Sequence, residues 1–320
     1  MYRLISLVGY RDTLCEYKDS RDLESFYEEY GLDGIELIRC GEVDTSYIRD
    51  EKTIGVHLPY YSDWMDFWLG KEDRLLREYG NRSVWEGFYG GSDRQTLLDF
   101  YKRDLDYAHS VGAKYVVFHV CNVSVTETFT RDFAYTDEEV IAATCELVNT
   151  LMEGEDYQFE LLFENLYWRG LTFTSAEIAR KLLEGTAYAK KGFMLDTGHM
   201  MCTNLDLKTV EEGVAYVGDF FRREKDLAPY VRGIHLHKSI SGDYVKQALE
   251  QPPVLKTDFY ERFAQCYEHV FQIDRHEILT CKGTRELIEY LDPAYLVFEF
   301  RANNREDREK KLAEQLKIFL

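Results

Sequence analysis

Gly192-Phe193-Met194-Leu195-Asp196-Thr197-Gly198-His199 is the stretch from which the fold of this chain is read. Gly192–Asp196 is short, apolar and bounded by Gly and Asp, as a strand buried on both faces should be. It ends on an acid, with a histidine three residues further on. Working outward, seven more runs of this kind stand at Tyr2–Val8, Gly34–Ile38, Thr53–Leu58, Lys114–Val120, Phe159–Glu164, Val231–Leu236 and Tyr295–Phe300. Between them lie helical patterns such as Asp93–Val111, Thr136–Gly154, Ser175–Glu184 and Asn204–Phe221. A last helix, Asn304–Leu320, sets Leu312, Leu316 and Phe319 on one side and charges on the other. Eight strands, each followed by a helix, predict an α/β fold, a single (β/α)8 barrel over residues 1–320.

The informative feature is how the strands end. The third closes on His57, the fourth on His119, the fifth on Glu164-Asn165 and the sixth on Asp196 with His199 behind it. The seventh closes on His235-Leu236-His237 and the eighth on Glu299. In a barrel these ends meet on one face, where active sites are built. Ionisable groups at the rim of a core are costly unless paired or bound to metal. Carboxylates offset the charge of a dication and neutral imidazoles offer it nitrogen, so convergence of both types predicts a metal site. Glu36, in Gly34-Ile35-Glu36-Leu37, either points into the mouth or forms an ion pair at the core rim, and is not counted among the donors.

Two connections are long, those after the third and the seventh strands. Pro59 to about Ser92 carries Tyr60, Tyr61, Trp64, Trp68, Trp85, Phe88 and Tyr89. It is either a local minicore or a lid over the site, with Trp64, Trp68 and Trp85 as substrate-contacting candidates. Lys238 to about Cys281 holds an extra helix near Asp258–Phe271.

Composition narrows the classes. Hydrophobic residues are 45% and aromatics 15%, with only five prolines, which excludes a disordered or fibrous chain. The net charge of −19 disfavours coating of extended nucleic acid. Seven scattered cysteines without a C-x-x-C pair read as reduced thiols of a cytoplasmic protein. Neither a signal peptide nor a membrane-spanning apolar run is expected. Phosphate-loop, dinucleotide-fold and nucleophile-elbow motifs are absent from the sequence.

The strand-end residues resemble a known family. His57, His119, Glu164-Asn165, Asp196-Thr197-Gly198-His199, His235-Leu236, Asp274-Arg275-His276 and Glu299 are similar, in order, to the pattern of the xylose isomerase-like TIM barrels, and within them the endonuclease IV (AP endonuclease family 2) branch. The resemblance implies up to three zinc ions. His57, His119 and a bridging Glu164 would hold the first; Glu164, Asp196, His235 and Glu299 the second; His199, Asp274 and His276 the third. The Asp-Arg-His element lies farther from His235 than the family pattern has it, and His237 competes for the same space. The resemblance implies a zinc phosphoesterase, and the acidic charge and the aromatic loop point to a small phosphodiester or phosphorylated compound as its substrate in place of long DNA. The alternative is a sugar or sugar-phosphate isomerase or epimerase, with one manganese, magnesium or cobalt ion and Glu164 and Glu299 as the proton-shuttling pair. The partner expected in both cases is a small phosphorylated or sugar-like molecule.

Overall fold

The computed structural model describes residues 1–9, 15–39 and 47–320. Eight parallel strands close into a barrel: β1 (Tyr2–Val8), β2 (Gly34–Ile38), β3 (Thr53–His57), β4 (Tyr115–His119), β5 (Glu160–Glu164), β6 (Lys191–Asp196), β7 (Val231–Leu236) and β8 (Tyr295–Phe298). They follow one another around the barrel in chain order, and β8 returns to pair with β1. These are the eight apolar runs of the sequence, with ends moved by no more than two residues.

The outer layer includes α1 (Ser20–Tyr30), α2 (Arg94–Ser110), α3 (Asp137–Met152), α4 (Ala176–Gly185), α5 (Val210–Arg223), α6 (Phe259–Ile273), α7 (Thr284–Leu291) and α8 (Arg305–Gln315). Helix α5 starts six residues later than its apolar pattern predicts. Thr209 caps it, and the Glu212 side chain returns to the cap backbone, so this reciprocal pair fixes the start. Between β2 and β3 the described residues hold only a 3-10 turn, Asp50–Lys52, where a full helix was expected. The long connection after β3 folds as three short helices, Met65–Trp68, Glu72–Tyr79 and Arg82–Tyr89. The one after β7 holds Gly242–Glu250 as well as α6.

Side chains alternate along a strand, so every second residue of each strand enters the barrel. Leu4, Tyr115, Val117, Leu162, Met194, Tyr295 and Val297 form an apolar cluster there, separate from the larger core between strands and helices. Space inside is shared by pairing small with large. A Cβ on Gly55 would lie 2.2 Å from the Tyr115 ring, and one on Gly233 would lie 2.6 Å from Met194. Six cysteines of the described residues are unpaired, and Cys40 lies outside them. No helix of the described residues is long and apolar enough to cross a membrane.

Overpacking tests this interior. Gly55→Ala should destabilise the protein by about 1–3 kcal/mol, because Tyr115 is walled in and has nowhere to retreat. An unchanged denaturation midpoint would contradict the packing described.

Candidate metal centre

The alternation that fills the barrel also builds its mouth. His57 stands two residues beyond Gly55, His119 two beyond Val117 and Glu164 two beyond Leu162. Asp196 stands two beyond Met194, His235 two beyond Gly233 and Glu299 two beyond Val297. All six therefore belong to the inward parity, one layer above the apolar plug, at the C-terminal ends of the strands. Strand register sets His119 beside Glu164 and Asp196 beside His235.

Among the described residues, His, Asp and Glu atoms that could hold a metal gather within 4.8 Å of one another in four groups. One is His57, His119 and Glu164, and another is Glu164, Asp196, His235 and Glu299. These are the first two expected sets. The Glu164 carboxylate serves both: Oε2 lies 3.0 Å from His57 Nε2 and 2.8 Å from His119 Nε2, while Oε1 lies 3.3 Å from His235 Nδ1 and 3.2 Å from His199 Nδ1. Glu299 Oε2 is 2.8 Å from His235 Nδ1. In the third region, Asp274 Oδ2 lies 3.0 Å from His199 Nε2 and 3.1 Å from His276 Nδ1, so the three expected residues do meet. The compact group there differs in composition, being Asp196, His199, His237 and His276. The fourth group is Glu36, His57 and His235.

Whether these residues suit a cation can be judged from the imidazoles. His57 Nδ1 donates to the Leu58 carbonyl at 3.1 Å, His199 Nδ1 to the Asn165 carbonyl at 3.0 Å, and His235 Nε2 to Glu36 at 3.0 Å. Each ring spends one N–H on an outside acceptor and turns its other nitrogen toward a carboxylate. A bare nitrogen facing a carboxylate oxygen is repulsive unless a proton or a metal lies between them. His119 Nε2, His235 Nδ1 and Glu299 Oε2 are buried, yet none is directed at a hydrogen-bond partner. Such atoms converge on a point without pointing at each other, which is how metal donors stand.

Without metal, protons fill these places. Burial alone would depress the imidazole pKa values, but the carboxylates outweigh it at His57, His199 and His235, all of which are raised. His276 is held at about 10, Asp274 and Glu299 overcoming its burial. His119 goes the other way, its burial exceeding the pull of Glu164. Burial pushes Glu164 upward, but His119 and His235 bring it well below the usual carboxylate range.

Local structure explains the Asp-Thr-Gly-His run. Asp196 Oδ1 accepts from the His199 backbone N–H and so caps the helix Thr197–Cys202. The Asn165 side chain grips the Asp196 backbone at both its N–H and its carbonyl. The Thr197 hydroxyl reaches the carbonyls of His235 and His237, tying β6 to the end of β7. Gly198 lies against the His237 ring, where a Cβ would approach to 2.1 Å.

Two residues matter more than the sequence reading allowed. Glu36 is wholly buried, accepts from the Tyr115 hydroxyl at 2.8 Å, and fixes the tautomer of His235. His237 is also wholly buried; its Nε2 lies 2.8 Å from Asp196 Oδ2, and its ring stacks on His276 with centroids 4.0 Å apart. The signal for both was parity, since Glu36 and His237 occupy the inward positions of their strands.

His57, His119, His199, Asp274, His276 and Glu299 line a cavity of about 500 Å³. Its aromatic wall comprises Tyr60, Tyr61, Phe88, Tyr167, Trp168, Phe263, Tyr267 and Phe271. Trp64, Trp68 and Trp85, the tryptophans singled out in the sequence, lie elsewhere. Each is 3% exposed in the packing of the β3 connection, and none lines the cavity. The Trp64 indole donates to the Cys121 carbonyl at 2.7 Å. They form the minicore, and Tyr60, edge-on to His119 at 3.9 Å, is the residue of that connection at the donors.

The sequence profile of the xylose isomerase-like TIM barrels matches residues 25–317. The chain belongs to that family. No curated protein sequence matches it. Among solved structures, endonuclease IV from Thermus thermophilus superposes with a TM-score of 0.51 at 13% identity, covering 100% of this chain and 99% of that one. The IOLI protein with a binding zinc atom gives 0.53 at 13% identity, over 100% and 96%. A D-tagatose 3-epimerase-like protein gives 0.50 at 14%, over 99% and 98%. At these identities the likeness is one of fold. Endonuclease IV, the zinc-binding IOLI protein and the epimerase-like protein thus share the barrel of this chain.

Two outcomes are expected of the centre. Glu36→Gln should weaken metal affinity about 10- to 100-fold while the barrel still folds, because it disturbs the ring behind a donor and not the donor itself. Equal affinity in a competitive chelator titration would contradict that role. Zinc binding at pH 7 should release protons from the raised histidines, seen as a calorimetric heat that varies with buffer ionisation enthalpy. A buffer-independent heat would show that the rings were already neutral.

Proposed function

We propose that the chain is a divalent-metal-dependent phosphoesterase, with zinc as its ion, acting on a small phosphodiester or phosphorylated compound. The observation that carries this reading is the division of Glu164, whose two oxygens face two different donor sets. A carboxylate so placed suits a pair of ions, and paired ions suit displacement at phosphorus. Bound there, divalent ions would supply the Lewis acidity that phosphoester hydrolysis requires.

The chain's own residues do the rest. His57, His119, Asp196, His235 and Glu299 would hold the ions with Glu164, and His199, Asp274 and His276 extend the set. Asn165 and Glu36 keep donors from turning. The cavity of about 500 Å³ admits a small molecule, and the formal charge of −19 opposes a long polyanion. Tyr60, Tyr167 and Trp168 give it faces on which a ring can stack.

One observation favours isomerase or epimerase chemistry as a second reading. Glu164 and Glu299 both flank His235 Nδ1, at 3.3 and 2.8 Å, a disposition that also suits two proton-transferring carboxylates around a single ion.

Elemental analysis of protein purified without chelator separates the two. Two or three zinc ions per chain with hydrolysis of bis(p-nitrophenyl) phosphate is the expected result, and Glu164→Gln should lose most of both. One ion per chain, no hydrolysis, and epimerisation of ketoses would establish the second reading.

A further inference from the structure

We propose that Arg301 is a second recognition point of this site, binding an oxyanion that the substrate carries in addition to the group at the metal donors. The inference rests on the metal-centre reading above and names the substrate class: a small polyol or ring compound bearing a phosphate monoester or a carboxylate.

Arg301 stands two residues beyond Glu299 and, among the described residues, is the only lysine or arginine lining the cavity. Its backbone N–H donates to the His276 carbonyl at 2.9 Å. Its guanidinium donates to the Asp274 carbonyl at 2.8 Å and to that of Phe271 at 3.3 Å, and lies over the Phe271 ring at 4.0 Å. The head group is therefore held in one plane by neutral acceptors and an aromatic face. Two of its five N–H groups are used in those bonds, and the remainder are available to a ligand.

Among the described residues its charge has no ion-pair partner at the cavity. The chain has 58 acidic against 39 basic residues, and the next arginines along, Arg305 and Arg308, are both paired with acids. Among the described residues no carboxylate forms an ion pair with Arg301. The nearby acids are engaged elsewhere, Asp274 with His199 and His276, and Glu299 with His235 and His276. An oriented, unneutralised guanidinium on the wall of a small cavity matches the fork of a phosphate or carboxylate. The aromatic wall beside it, Tyr167, Trp168 and Tyr267, accommodates the body of the ligand between that anion and the donors.

The test is equilibrium binding to the zinc-loaded full chain by calorimetry, with two matched pairs, ribose against ribose 5-phosphate and glucose against glucuronate. Zinc content and thermal melts are recorded on the same samples. Wild-type protein should prefer one charged member at least tenfold over its neutral partner, and which pair shows it identifies phosphate or carboxylate. Arg301→Met should lose that preference at least tenfold without changing zinc content or affinity for the neutral sugar. Arg301→Lys, which keeps the charge but not the fork, should retain part of it and serves if the methionine variant fails to fold. A preference that survives in both variants places the anion on the metals and overturns the inference, as does wild-type protein with no preference. A wild-type chain that takes up no zinc overturns the metal-centre reading instead, whatever Arg301 does.

Discussion

Inside the barrel the Tyr115 hydroxyl donates to Glu36 at 2.8 Å, and the same carboxylate accepts from His235 Nε2 at 3.0 Å. All three side chains are fully buried. Much else follows from this line of contacts. Tyr115 has room only because residue 55 is glycine, and its ring is part of the plug that makes the barrel solid. A carboxylate under that plug would be prohibitively costly without its two donors. Once held, it dictates which His235 nitrogen carries the proton, and so which one faces Glu164 and Glu299. Apolar packing and the electronic state of the mouth are thereby parts of one arrangement.

The crowding of acids and imidazoles above that line is stable for a related reason. Each group is expensive alone, yet each is faced by the opposite type. Carboxylates raise the imidazoles of His57, His199 and His235 at separations near 3 Å, while burial keeps His119 the exception. Exchanging the ring protons for dications keeps the sign of every contact. Little geometric reorganisation is required, and preorganisation of this kind is what lets a site bind metal without first rebuilding itself.

The eight strands were readable because a barrel strand buried on both faces is a short apolar run, and each ends on polar punctuation. The cluster of acids and imidazoles at the mouth was readable for the same reason, since an ionisable residue at the end of such a run interrupts an otherwise apolar pattern. His237 and Glu36 were harder. Their significance depends on who stands across the barrel: Asp196 and His276 for one, Tyr115 and His235 for the other. No local pattern encodes that pairing. The tryptophans misled for a physical reason. Large aromatics in a long connection satisfy themselves by packing on one another as readily as by facing a ligand, and composition does not distinguish the two. The wall came from elsewhere in part: α6 supplies Phe263, Tyr267 and Phe271, which recur every four residues on one face, beside Tyr60, Tyr61 and Phe88 of the β3 connection and Tyr167 and Trp168.

That helix has a double position. Asp274 is its C-cap residue, while its side chains wall the cavity. The insertion that lengthens the path from His235 to Asp274 is thus a single helix with Asp274 at its end and a cavity-lining face along its length. On the proposed function, an ion at Asp274 and a ligand in the cavity would both bear on this helix, and any coupling between them would be reciprocal, each changing the other's affinity by the same factor. Cooperativity in this protein would need no second subunit, only one helix that belongs to both sites.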